Sequence, residues 1–324
     1  MEKYFDLPHD EVVRSRRAAM LMGGAALAAL ALSRNASAQA AAPTPSPTLD
    51  AEILNFALNL EFLESQFYTL ATAGVTIDKY STAVPITSGS GAAGGSVTLK
   101  PNFAPVPFVA GSNAQNYAME TAGEERNHVL FLQSALNASS ANASVAMPNI
   151  DLYNSFNALA MAAGIGATFD PFASPANFLI GAFIFEDVGV TAYLGAAPLI
   201  YTPAYLTAAL DIHAVEGYHA GSIRTQIYAA GAPLTTYSQQ VAAARATLDG
   251  STAAGGADDI GVETLTNSLG SASTIVDANP TLTATYAARV QPRSTTQVLQ
   301  IVYGGGAVGT GGAFFPNGMN GSIK

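Results

Sequence analysis

The chain has 324 residues, 49% of them hydrophobic and 11% charged, with a formal charge of −10, no cysteine and no tryptophan. That much apolar material builds a sizeable core and excludes a wholly disordered chain, while the negative charge argues against a nucleic-acid partner. Without cysteine there are no disulfides, thiolate zinc sites or cysteine-held iron–sulfur clusters, which leaves histidine and carboxylate for any tightly held metal.

Residues 1–38 have the form of an export signal: a polar start, Arg14-Ser15-Arg16-Arg17, an apolar run from Ala18 to Leu32 and the small-residue site Ala36-Ser37-Ala38. The Ser-Arg-Arg run resembles a twin-arginine signal, although Ala18 and Ala19 follow it. The apolar run is shorter than the roughly 20 residues of a membrane span, so the expectation is a cleaved signal and a periplasmic or extracellular bacterial protein with no stable membrane span afterwards. Residues 39–48, with Pro43, Pro45 and Pro47, read as an extended linker.

A first helix is expected from Asp50 to Ala73, stopped by Gly74, with Ile53, Ala57, Leu60, Glu64, Phe67 and Ala71 down one face. Glu64 lies within that stripe, whereas Glu61 falls on a neighbouring, more polar line, so Glu64 ranks first. Residues 75–112 are rich in Thr, Ser, Gly and Pro and read as an inserted loop or hairpin around Gly94-Gly95. A second helix, Asn113 to Leu136, carries Glu120, Glu124, Glu125 and His128. Residues 137–173 form a long crossover with a short helix near Leu152–Ala163, long enough that the next helix need not run antiparallel to the last. Ser174-Pro175 opens a third helix to Leu194 with Glu186 in its buried line, and Thr202-Pro203 opens a fourth to Ala229 that carries Glu216 and His219. Only about eight residues separate these two, so they should pair antiparallel. Weak helical patterns follow at Tyr237–Gly250 and Gly261–Leu269, a better one at Thr295–Tyr303, and the glycine-rich tail reads as ordered coil packed on the bundle. The expected organisation is signal (1–38), linker (39–48), an all-α four-helix bundle (49–231) and a C-terminal extension (232–324).

Glu125 with His128, and Glu216 with His219, are two copies of Glu-x-x-His. Residues three apart on a helix share a face, so each copy offers a carboxylate oxygen and an imidazole nitrogen to one ion. A single such pair is ordinarily a surface contact; two, in chain order with Glu64 and Glu186 embedded in apolar stripes, match a dinuclear iron or manganese carboxylate centre. Buried carboxylates without partners are costly, so together they demand cations. Around them, Glu124 is either a surface acid or a partner for the outer nitrogen of a ligand histidine. Tyr68 and Tyr193 are packing residues or nearby proton or electron donors. His213 reads as peripheral, and Tyr218 as facing a neighbouring helix.

Ile53-Leu54-Asn55-Phe56-Ala57-Leu58-Asn59-Leu60-Glu61 with Glu64 and Phe67-Tyr68, Glu125 with His128, Glu186-Asp187-Val188-Gly189-Val190 with Ala192-Tyr193, and Glu216 with His219 resemble the ferritin-like superfamily. More narrowly they resemble exported ferritin-like proteins that include desiccation-related proteins, as does the tail Phe314-Phe315-Pro316-Asn317-Gly318-Met319-Asn320-Gly321. The resemblance implies a ferritin-like bundle with two iron or manganese ions and either redox chemistry on peroxide, dioxygen or Fe(II) or a structural stress role with metal as a staple. A homo-oligomer is compatible with it, but the insertion at 75–112 and the long extension depart from a cage-forming storage subunit.

Overall fold

The computed structural model describes residues 43–138, 143–251, 259–262 and 290–324. The expected export signal and most of the pattern at Gly261–Leu269 lie outside the described residues. Among them are seven α-helices: α1 (Pro47–Ala73), α2 (Asn113–Asn137), α3 (Asn154–Ala162), α4 (Pro175–Ala196), α5 (Pro203–Ala230), α6 (Leu234–Leu248) and α7 (Thr295–Val302). Local chemistry sets their ends. The Ser46 and Ser174 hydroxyls accept from the backbone N–H groups of Leu49 and Asn177, with proline at the first helical position. At Ser46-Pro47 this device starts α1 inside the stretch expected to be extended. Gly74, at φ 71°, closes α1 with its N–H on the Leu70 carbonyl, a conformation that favours glycine.

The four long helices α1, α2, α4 and α5 form the bundle. Arg126 reaches Thr69 and His128 stands beside Glu61, so rising numbers on α2 meet falling numbers on α1. Glu216 against Gly189 and Arg224 on Asp187 give the same sense for α4 and α5. Tyr68 on Glu186 and Tyr193 on Glu61 set α1 antiparallel to α4. Hence α2 and α4 run parallel, which is what the crossover through α3 permits. Among the described residues only Pro175–Leu199 is long and apolar enough to cross a membrane, and 89% of its most apolar window is buried in the protein.

The 75–112 insert takes the loop form. Its Val97–Thr98 strand (β1) pairs in parallel with Ile150–Asp151 (β2) from the crossover rather than folding back on the insert. The tail buries Phe314 and Phe315 completely. Asn320 is tied to α1 in both directions: its N–H donates to Asn59 Oδ1 and its carbonyl accepts from Asn59 Nδ2, each at 2.9 Å.

Between α4 and the extension lies a buried ion network that periodicity does not reveal. Arg245 of α6 donates to both oxygens of Asp259, at 2.7 and 2.8 Å, and to Asp187 at 2.7 Å. Arg224 also reaches Asp187, and Arg293 donates to Asp249 and Asp259. Burial alone would raise the Asp259 carboxyl, but Arg245 and Arg293 outweigh it and hold it below its ordinary 3.8. A depressed carboxylate contributes stability that is complete above its unfolded value and is lost as pH falls through its folded value. The stability difference between wild type and Asp259→Asn, measured by urea unfolding, should therefore shrink between pH 7 and pH 3; an unchanged difference would contradict this account.

Candidate metal centre

Glu61 and Tyr68 lie seven residues apart on α1, and Glu186 and Tyr193 seven apart on α4, so each pair shares one helix face two turns apart. The pairs interlock. The Tyr68 hydroxyl donates to Glu186 Oε1, and the Tyr193 hydroxyl donates to Glu61 Oε1. Both hydroxyls are pushed well above their ordinary value by burial, then by the carboxylates they face, so they remain donors. With the Glu-x-x-His pairs of α2 and α5, the α1–α2 half and the α4–α5 half become two copies of one arrangement.

At the centre, His128 Nδ1 lies 3.2 Å from Glu61, 3.6 Å from Glu125 and 3.7 Å from Glu216. His219 Nδ1 lies 3.1 Å from Glu125 and 3.3 Å from Glu186. Two sets of four donors each converge within 4.8 Å: Glu61, Glu125, His128 and Glu216, and Glu125, Glu186, Glu216 and His219. Glu125 and Glu216 belong to both sets. Every one of these side chains is buried.

The structure brings Glu125, His128, Glu186, Glu216 and His219 together, as their spacing and stripes anticipate. On α1 it separates the two candidates: Glu61, ranked second by sequence, joins the His128 set, while Glu64 lies outside both sets. The reason is that α1 is buried almost all round from Phe56 to Ala71, so a stripe argument cannot choose a face. The signal that does choose is the Glu-x6-Tyr spacing shared by Glu61–Tyr68 and Glu186–Tyr193. Glu124 takes the partner role: with the proton on His219 Nε2, that nitrogen donates to Glu124 Oε2 at 2.7 Å. Tyr218 is 43% exposed and bonds Glu120 at 3.2 Å, and His213, half-buried, stands outside both sets.

Electrostatics bear on whether these residues fit a metal pair. Burial, reinforced by Glu64 and Glu125, drives the Glu216 carboxyl well above its ordinary value, and burial brings Glu61 to about 7 despite His128. Burial opposes the charged form of His128, but Glu61 and Glu125 push it up to about 12; the two imidazoles in turn hold Glu125 below the usual carboxylate range against burial. Both oxygens of Glu125 and of Glu216, Glu186 Oε2 and His219 Nδ1 are buried with no hydrogen-bond partner, the close His219 contacts included, because those are not directed as hydrogen bonds. Orphaned buried charge of this kind costs several kcal/mol per group unless a cation meets it. Two divalent ions would nearly balance Glu61, Glu64, Glu125, Glu186 and Glu216, and a nitrogen–oxygen donor set of this type suits iron and manganese.

Residues 49–229 match the ferritin-like domain family. A desiccation-related protein of Craterostigma plantagineum is 30% identical over 189 residues, covering 56% of this chain and 54% of the relative, so that match spans about half of the relative's length. A ferritin-like catalase of Nesocodon mauritianus is 25% identical over 283 residues, 85% of this chain and 84% of the relative. No solved structure matches significantly. The matched segment takes in α1 through α5 and all of the converging donors, and on that ground the chain belongs to the ferritin-like domain family.

Proposed function

We propose that the chain holds two iron or manganese ions and disproportionates hydrogen peroxide. Glu61 and His128 would hold one ion, Glu186 and His219 the other, and Glu125 and Glu216 would be shared. The observation that carries this reading is the duplicated, buried donor set with orphaned oxygens; the ferritin-like catalase among its relatives supports it. Two redox-active ions held there would supply two-electron exchange between peroxides, by which two H2O2 become two H2O and one O2 with no outside reductant. The protein's own residues hold the geometry: Tyr68 and Tyr193 each fix a carboxylate, Glu124 fixes the His219 ring and keeps its proton on Nε2, and the surrounding core excludes bulk water. Oxygen release from peroxide by manganese-loaded and iron-loaded protein tests the proposal, and no release from either form sinks it.

The desiccation-related relative favours a second reading, in which metal staples the bundle without turnover. Chelation would then lower the melting temperature of a protein that never consumed peroxide. On either reading, Glu124→Ala should weaken the ion beside His219 by about 10–100-fold, the usual cost of losing such a hydrogen-bond partner. Competition calorimetry with a chelator reads this directly, and an unchanged affinity would remove Glu124 from the site.

A further inference from the structure

The two halves that repeat Glu61–Tyr68 as Glu186–Tyr193 bring position 64 into correspondence with position 189. There the halves differ sharply, with glutamate in one and glycine in the other. A side-chain carbon at Gly189 would overlap Glu216 Oε2 and lie 3.6 Å from Glu64 Oε1, so the missing side chain is what admits both carboxylates to that spot. Glu64 and Gly189 border a small cavity between α1 and α4, whereas the histidines approach the centre from α2 and α5. Its other walls include Phe185 of α4, Ile301 and Val302 of α7 and Phe314 of the tail, and among the described residues Glu64 is the only charged one in its lining. Its free volume, about 10 Å³, holds one water-sized molecule.

We propose that this cavity is the chamber in which a small neutral oxidant of the hydrogen peroxide class meets the centre, with α7 and Phe314 of the C-terminal extension setting its size limit. The inference rests on the peroxide reading for its substrate, but not for the chamber. Apolar walls admit a neutral molecule and reject anions, and the Glu64 carboxylate accepts a hydrogen bond from an O–H that enters. Gly189 keeps the path to Glu216 open. The extension then completes the site, because without Ile301, Val302 and Phe314 one wall would be missing.

Three measurements test this. In metal-free crystals, Val302→Ala removes two methyl groups from the wall, and xenon under pressure is expected beside Gly189 in the variant and not in wild type; no xenon in the variant overturns the chamber. In ferrous-loaded protein with unchanged metal content, Val302→Ile adds one methylene, enough to fill the space, and should slow nitric oxide association at least about tenfold, as expected for a blocked route; a wild-type rate means that ligands arrive elsewhere. Glu64→Leu should raise the KM for peroxide about tenfold, the loss of one hydrogen bond, and leave nitric oxide association unchanged; an unchanged KM overturns the role of Glu64. A protein that binds metal but releases no oxygen defeats the peroxide reading while the xenon and nitric oxide results still decide the chamber.

Discussion

Replacing Glu216 with glutamine should raise the melting temperature of the metal-free protein at pH 7, by up to roughly 10 °C, while the two ions per chain of the proposed centre fall to fewer than one. Glu216 is fully buried, both oxygens lack hydrogen-bond partners, and burial together with Glu64 and Glu125 raises its carboxyl well above 4.5. A carboxyl raised on folding costs no stability below its unfolded value and an increasing amount above it, at about 1.4 kcal/mol per pH unit until the folded value is reached. At pH 7 that amounts to up to about 3 kcal/mol, which the amide removes at nearly constant volume. The gain should fade as pH is lowered to 4.5, and scanning calorimetry of both metal-free proteins at several pH values checks the sign and the window. The same residue belongs to both donor sets, so the amide should empty the proposed centre and abolish the stabilisation that bound ions would confer. A variant that is less stable without metal, or that still binds two ions, would refute the assignment of Glu216 as a shared ligand.

Arg245→Leu should destabilise the protein by about 3–5 kcal/mol, the usual result of removing one partner from a buried ion pair. Arg245 is 2% exposed and donates to Asp187, to both oxygens of Asp259 and to the Phe183 carbonyl at 2.6 Å. Leucine would fill some of the space but leave two buried aspartates short of a positive partner. Lysine should rescue little, because one ammonium cannot reproduce a planar fork spanning two carboxylates. Asp187 follows Glu186 directly on α4, so the network anchors the helix that carries a donor of the centre. Urea unfolding of both variants reads the cost; a loss below about 1 kcal/mol would place Arg245 with ordinary surface pairs.

Much of this organisation is written locally in the chain. Ser174-Pro175 and Gly74 mark helix ends because capping and left-handed backbone are short-range chemistry. Glu125–His128 and Glu216–His219 are legible because a helix puts residues three apart on one face, and the lack of cysteine restricts the donors to nitrogen and oxygen before any fold is known. The parallel course of α2 and α4 is permitted, though not required, by the length of the crossover.

Tertiary structure decided what depends on distances between helices. Periodicity assigns a residue to a face, and on a helix buried nearly all round every face is a core face; periodicity therefore could not tell Glu61 from Glu64, and the packing that brings His128 and Tyr193 to Glu61 did. The pairing of Val97–Thr98 with Ile150–Asp151, the Asp187–Arg245–Asp259 network and the contact of α7 with the space beside Glu64 join segments far apart in the chain. By itself the sequence determined the two Glu-x-x-His pairs, the glutamate of α4, their helices and their order, because those follow from backbone geometry within a few residues. Which donors meet, and what covers them, only packing could decide, since contact between remote segments is set by the shape and burial of the whole fold.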